Sequence, residues 1–93
     1  MLAQTPINLD KVSDELKDLE ILRVGMQAEL DAVNLYEQLA SLAEKDDIKA
    51  ILMDIAREEK THVGEFEALL MKYDAEQVEE SRKGKEEVEE MKE

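Results

Sequence analysis

The stretch from Ile48 to Leu70 reads IKAILMDIAREEKTHVGEFEALL, and it decides the fold of this chain. Apolar residues recur in it at intervals of three and four, which is the period of one face of an α-helix. They are Ile48, Ile51, Leu52, Ile55, Ala56, Val63, Phe66, Leu69 and Leu70. Glu59 and His62 stand on this apolar face, where a carboxylate has to be paired or has to bind a metal. The stretch therefore predicts a helix and a chemical site on its inward side.

A second amphipathic stretch precedes this one, from about residue 10 to Lys45. Its apolar residues keep the same spacing and are separated by charged residues. They are Leu16, Leu19, Leu22, Met26, Leu30, Val33 and Ala40. Asp47 is expected to cap the second helix, which extends to about Tyr73. Two long helices joined by a short turn predict an all-α antiparallel hairpin.

The two ends of the chain are predicted to be less regular than the hairpin. Residues 1–9 form an irregular lead-in, because Pro6 cannot lie in the interior of a helix. A short third helix is expected from Asp74 to Arg82. Residues 10–82 then form one helical hairpin domain, and residues 83–93 form a charged C-terminal tail or linker.

The composition excludes several classes of function. The 93 residues carry 25 acidic and 12 basic side chains, which gives a formal net charge of −13. Nucleic-acid binding depends on Lys and Arg that neutralise phosphates, so this charge argues against a nucleic-acid partner, and it also disfavours anionic membranes. No stretch approaches the roughly 18 apolar residues of a membrane span, no signal-peptide pattern is visible, and there is no Cys. We therefore expect a cytoplasmic protein.

Glu29 on the first helix faces the same interior as Glu59 and His62. It keeps the three- and four-residue spacing of the first apolar stripe. In a hairpin that turns near residues 45–47, these three residues fall within about one helical turn of a common level. At ~1.5 Å per residue, that level lies roughly 25 Å from the turn. Because the three side chains agree in height and in face, the pattern predicts one metal-binding cluster.

Each of these residues has an ordinary explanation when it is taken alone. Glu59 can hold its carboxylate in water at the edge of the stripe, and His62 can be a core histidine with satisfied hydrogen bonds. Glu29 alone carries little information in so acidic a chain. Tyr36 can pack as core, or its hydroxyl can hydrogen-bond a ligand carboxylate from outside the metal's own shell. The metal interpretation depends on the coincidence of Glu29, Glu59 and His62.

Three donors from two helices complete neither a metal site nor a hydrophobic core. A two-fold homodimer solves both problems, because it forms a four-helix bundle and doubles the donors to four Glu and two His. Di-iron carboxylate bundles use this set, with a Glu from each of two helices and Glu-x-x-His from each of the other two. Carboxylate and imidazole suit iron or manganese, and zinc fits the same donors. The sequence thus predicts two metal ions per dimer interface.

The sequence resembles the encapsulated ferritins, which are two-helix ferritin-like proteins housed in encapsulin nanocompartments. The resemblance rests on AELDAVNLYEQ from Ala28 to Gln38, on REEKTHV from Arg57 to Val63, and on the step Asp74–Ala75 that opens the third helix. It extends over roughly residues 10–82. Glu-x-x-His alone is a weak motif, but its combination with the first motif at this spacing is specific.

This resemblance implies an iron oxidase, a ferroxidase that oxidises Fe(II) to Fe(III) with O₂. By motif match, Glu29, Glu59 and His62 are its metal ligands and catalytic residues, and Tyr36 lies beside them. The resemblance also implies a di-iron site across a homodimer, a decameric ring of five dimers, and iron storage in a surrounding encapsulin shell in the cytoplasm. Free-standing members carry a docking peptide that is not seen after Gly84. A shortened chain, or an archaeal member fused to the shell protein, is therefore expected.

Other functions are compatible with the same residues. A rubrerythrin-like peroxidase or a di-manganese protein would use the same scaffold, although the chain has no Cys for a rubredoxin-type electron donor. A non-catalytic helical interaction module would use Glu29, Glu59 and His62 only as a polar network between helices. Oxidation of Fe(II), turnover of hydrogen peroxide and the oligomeric state distinguish these functions.

Overall fold

The computed structural model describes residues 7–91, and these residues are almost entirely helical. The elements in chain order are a 3₁₀ turn (Leu9–Lys11), α1 (Asp14–Leu42), α2 (Asp46–Tyr73) and α3 (Ala75–Glu90). No β-strand occurs within residues 7–91, so the predicted all-α class with three helices is confirmed. Residues 1–6 of the expected irregular lead-in lie outside the described residues.

The helices α1 and α2 pack side by side as an antiparallel hairpin, because only residues 43–45 connect them. Small and β-branched side chains make up most of the buried apolar set. Within the described residues that set is Val33, Ala40, Ala56 and Leu70. Ala40 and Ala56 are only 2% and 1% exposed, which is consistent with a close approach of the two helices where the side chain is a single methyl group.

The starts of the two long helices differ from the expectation. The first begins at Asp14 instead of near residue 10. In the second, Lys45 occupies the N-cap position with an extended backbone, so the prediction that Asp47 caps this helix is wrong. The connection is short, and the helix begins directly after Lys45. The Asp47 carboxylate instead accepts a hydrogen bond from the backbone N–H of Ile48 at 2.8 Å, within the first turn, where the helix dipole favours negative charge.

Asp74 fixes the point at which α3 leaves the hairpin. This residue is 8% exposed, and its Oδ1 accepts a hydrogen bond from the backbone N–H of Gln77 at 2.9 Å. Its Oδ2 accepts a second hydrogen bond, from Nη2 of Arg23 on α1, at 3.0 Å. The first bond caps α3 and the second ties the start of α3 to α1. Because α3 otherwise packs only lightly against the hairpin, this one carboxylate holds the junction.

The third helix extends to Glu90, so the expectation that it ends at Arg82 is wrong. Arg82 forms ion pairs with Glu79, one turn earlier, at 2.6 Å and with Glu86, one turn later, at 2.5 Å. The same guanidinium holds the pKa of Glu79 below its ordinary value. The pair with Glu86 spans Gly84, and a single glycine is tolerated inside a helix. The helix thus crosses the boundary expected between the hairpin domain and the charged tail.

The hairpin leaves much of its apolar surface open. Within residues 7–91, no large side chain is fully buried. Leu42 and Ile51 near the turn are 78% and 61% exposed, and Tyr73 at the opposite end is 63% exposed. Two helices cannot enclose both of their apolar stripes, and open patches of this kind mark contact surfaces. None of the described helices has the length and hydrophobicity that crossing a lipid bilayer requires.

Replacing Asp74 by Ala should lower the free energy of unfolding by about 1–3 kcal/mol, because the change removes a helix cap and a charged hydrogen bond. Urea denaturation followed by far-UV circular dichroism, at one fixed protein concentration, measures this change. Asp54→Ala is the control, since it removes an exposed carboxylate that pairs with Arg57 at 2.8 Å. Its effect should stay within about 0.5 kcal/mol. Equal losses in the two variants would contradict the anchoring role of Asp74.

Candidate metal centre

Glu29 from α1 meets Glu59 and His62 from α2 at one level of the hairpin. The Nδ1 atom of His62 lies 3.4 Å from Oε2 of Glu29 and 3.4 Å from Oε2 of Glu59. One donor atom from each of the three residues lies within 4.8 Å of the other two. It is the single group of three or more such donors found within residues 7–91. The structure thus brings together the three residues that the sequence singled out.

Buried neighbours one turn away fix the rotation of both helices at this level. Val33, four residues after Glu29, is 7% exposed, and Ala56, three residues before Glu59, is 1% exposed. Side chains three or four positions apart share one face of a helix. The packing that buries Val33 and Ala56 therefore also turns Glu29 and Glu59 inward. His62 follows Glu59 by three residues and shares its face.

The cluster is covered by the hairpin on one side and open on the other. The side chains of Glu29 and Glu59 are 22% and 18% exposed, whereas that of His62 is 45% exposed. Two carboxylates this close repel each other unless positive charge lies between them. A divalent cation would neutralise both carboxylates and would gain the imidazole of His62 as a third donor.

The donor set fits a first-row transition metal but does not complete its coordination. Carboxylate oxygen and imidazole nitrogen suit iron, manganese and zinc. A structural zinc site takes four ligands, and di-iron carboxylate sites draw on six side chains. Within the part of one chain that the structure describes, three such side chains are grouped, from Glu29, Glu59 and His62. The remaining donors therefore have to come from outside the hairpin.

Tyr36 lies on the same face of α1 as Glu29, about two turns closer to the hairpin turn, and it is half-buried. Its hydroxyl makes no hydrogen bond to Glu29 or Glu59 among the side-chain hydrogen bonds of residues 7–91. A role for Tyr36 beside the metal ligands stays a prediction. Near the cluster, Lys60 on α2 pairs with Glu37 on α1 at 3.5 Å, and this exposed pair links the two helices.

Comparison with known proteins gives consistent matches over nearly the whole chain. Residues 4–83 match the sequence model of a protein family that is described as EncFtn-like. The crystal structure of the encapsulated ferritin domain from Pyrococcus furiosus superimposes with a TM-score of 0.83 at 52% identity, covering 98% of this chain and 95% of that one. The prediction of a ferritin-like helical fold is thereby confirmed.

Two curated relatives are longer than this chain. A ferritin-like–encapsulin shell fusion protein of Pyrococcus furiosus is 54% identical over 87 residues, which cover 94% of this chain and 25% of that protein. The encapsulin nanocompartment cargo protein EncC of Myxococcus xanthus is 36% identical over 69 residues, which cover 71% of this chain and 53% of that protein. The chain thus spans a quarter of the first relative and about half of the second.

Addition of Zn²⁺ or Mn²⁺ should raise the unfolding temperature of the protein, because a ligand that binds only the folded state stabilises it by about 2.7 kcal/mol at a hundred times its Kd. Differential scanning calorimetry with and without metal measures the shift. Glu59→Ala removes a donor and should abolish most of the shift. Glu58→Ala, which changes an exposed neighbour on α2, should leave it intact. Equal shifts in the two variants would contradict metal binding at this cluster.

Proposed function

The chain belongs to the EncFtn-like family, and on that premise we propose that it is a ferroxidase. It takes Fe(II) as its substrate and oxidises it to Fe(III) with O₂ at a di-iron site formed between two copies of the chain. The observation that supports this proposal most strongly is the convergence of Glu29, Glu59 and His62, with one donor atom from each within 4.8 Å of the others.

The cluster of one chain is half of the proposed site. One chain offers two carboxylates and one imidazole, and a two-fold copy offers the same again, which gives the six side chains of a di-iron carboxylate bundle. The open side of the cluster, where His62 is 45% exposed, is the side on which the second copy would lie. Four carboxylates then balance the charge of two Fe(II) ions, so the enclosed site as a whole is neutral.

Apolar surface next to the cluster supplies a reason for two copies to associate. On the face of α2 that carries His62, Leu69, seven residues later, is 45% exposed, and Ile51, eleven residues earlier, is 61% exposed. Monomeric proteins rarely leave such surface uncovered. A dimer that removes it from water at about 25 cal/mol per Å² would be stabilised by the same contact that completes the site.

Each residue of the cluster has a defined role in the proposed reaction. Glu29 and Glu59 bind Fe(II) through their carboxylates, and His62 binds it through a ring nitrogen. Two Fe(II) ions each lose one electron, and O₂ takes up the pair together with two protons from water, which gives two Fe(III) ions and one molecule of H₂O₂. Because oxidation raises the charge of the iron, the surrounding carboxylates stabilise the product more than the substrate and so favour the reaction. We also propose that the hydroxyl of Tyr36 hydrogen-bonds a ligand carboxylate from outside the metal's own shell.

We further propose that the chain works with an encapsulin shell in the cytoplasm, as the part that oxidises iron for storage. The names of the two curated relatives support this partner, since one is a shell fusion protein and the other is a nanocompartment cargo protein. The chain would be enclosed by the shell or joined to it, and five of its dimers would form a ring.

Mixing the anaerobic protein with Fe(II) and then admitting O₂ should give rapid formation of Fe(III), followed by absorbance. The variant Glu59→Ala with His62→Ala should fall to the rate of iron in buffer alone, because it lacks two of the three donors. Glu58→Ala with Thr61→Ala is the matched control on the exposed face of α2, and it should keep the wild-type rate.

Three outcomes of this assay would point to other functions. A wild-type rate equal to that of the Glu59→Ala, His62→Ala variant would refute the ferroxidase and favour an interaction module. Fast consumption of hydrogen peroxide with little uptake of O₂ would indicate a rubrerythrin-like peroxidase. Tightly held manganese that Fe(II) does not displace would indicate a di-manganese protein.

Native mass spectrometry should show that metal and dimer occur together, with two metal ions for each pair of chains. The reason is that neither ion finds enough donors on one chain. Removing the metal with a chelator should shift the distribution toward smaller species. A stable monomer that carries a metal ion would contradict a site shared between chains.

A further inference from the structure

Gly25 and Phe66 make an unusually close contact one helical turn from the cluster. Gly25 lies four residues before Glu29 on α1, and Phe66 lies four residues after His62 on α2. A Cβ atom added at Gly25 would lie 2.6 Å from Cε1, 2.7 Å from Cζ and 3.0 Å from Cδ1 of the Phe66 ring. The ring therefore packs directly on the backbone of α1, where any other residue would place a side chain.

This contact is particular to one glycine of the chain. A Cβ atom added at Gly64 or at Gly84 would meet no atom within 4 Å. Glycine inside a helix lowers its stability by about 1 kcal/mol relative to Ala. At Gly64 and Gly84 nothing in the surroundings requires that loss, whereas at Gly25 the ring of Phe66 does require it.

The position of the contact matters for the donors. Glu29 is the one donor carried by α1, and the other two donors are carried by α2. The distance between them therefore depends on how closely the two helices approach at this level. Ala56, three residues from Glu59, is 1% exposed on the side toward the hairpin turn, and the Gly25–Phe66 contact lies on the side toward the open end. Small residues thus bracket the cluster on both sides.

We propose that the contact of Phe66 with Gly25 is the positioning element that sets the distance of Glu29 from Glu59 and His62, and so tunes the site for its metal. The proposal rests on the metal site proposed above. Metal–carboxylate and metal–imidazole bonds are about 2.0–2.2 Å long, and a site loses function when its donors move by about 0.5–1 Å. A methyl group at position 25 can be accommodated only if the ring turns or the helices separate. Separation of the helices moves Glu29 away from Glu59 and His62 by an amount of this order.

The test is a Co²⁺ titration followed by the visible absorption of the bound ion, whose bands report the geometry of its donors. Gly25→Ala should bind Co²⁺ about 10–100-fold more weakly than the wild type, as changes just outside a metal's ligands do, and its spectrum should differ. Adding Phe66→Leu to this variant lets the shorter Leu side chain pack on the new methyl group in place of the ring on the glycine, and this should restore most of the affinity and the spectrum. Gly64→Ala, a helix glycine with open surroundings, is the matched control and should bind as the wild type does.

The outcomes separate this proposal from the one on which it rests. A folded Gly25→Ala variant with wild-type Co²⁺ affinity and spectrum would overturn the positioning role and leave the metal site standing. Wild-type protein that binds no Co²⁺ would overturn both. If Gly25→Ala does not fold, Phe66→Leu alone decides the question, because it removes the ring and keeps the glycine. An altered Co²⁺ spectrum in that variant supports the proposal, and an unchanged one overturns it.

Discussion

Carboxylates on the inward face of a helix need positive charge beside them, and this requirement organises the rest of the molecule. Glu29 and Glu59 are mostly covered, and each has an oxygen 3.4 Å from the same nitrogen of His62. One imidazole cannot balance two carboxylates and also complete a metal site. The further positive charge and the further donors have to come from the open side of the hairpin. The same side carries exposed apolar surface. Association with a second chain on this side would therefore both complete the metal site and remove that surface from water.

The hairpin holds this cluster by simple means. Small side chains let the helices approach closely, and buried residues one turn from each carboxylate fix the rotation of α1 and α2. The third helix takes no part in the cluster, and its start is held by Asp74 through Arg23 and Gln77. The functional centre and the junction with α3 therefore depend on different contacts. In this architecture, changes at the junction need not disturb the donors.

Residues near in sequence were the easiest to interpret. The i, i+3 spacing of Glu59 and His62 gives their shared face directly, and the hairpin geometry brings Glu29 to the same level. The sequence pattern predicted the helix ends wrongly, since Lys45 rather than Asp47 takes the N-cap position of α2. It failed also beyond Arg82, where ion pairs carry α3 past Gly84.

Contacts between residues far apart in sequence could not be anticipated. Arg23 and Asp74 are 51 positions apart, and the sequence around each residue does not predict their hydrogen bond. The close packing of Phe66 on Gly25 could not be predicted either. A glycine inside an amphipathic stretch does not by itself indicate which side chain packs against it. The way in which two chains pack depends on both of their surfaces. The periodicity of one sequence therefore predicts that a partner is needed, but it does not predict the orientation of that partner.

Anomalous X-ray diffraction from crystals loaded with Fe(II) tests the central claim most directly, namely that two chains build one di-iron site. Data collected on both sides of the iron absorption edge locate the ions without reference to the protein. We expect two iron peaks for each pair of chains, lying between them, with Glu29, Glu59 and His62 of both chains as ligands. Iron bound within a single chain, or bound elsewhere while Glu59 and His62 remain free, would contradict the account.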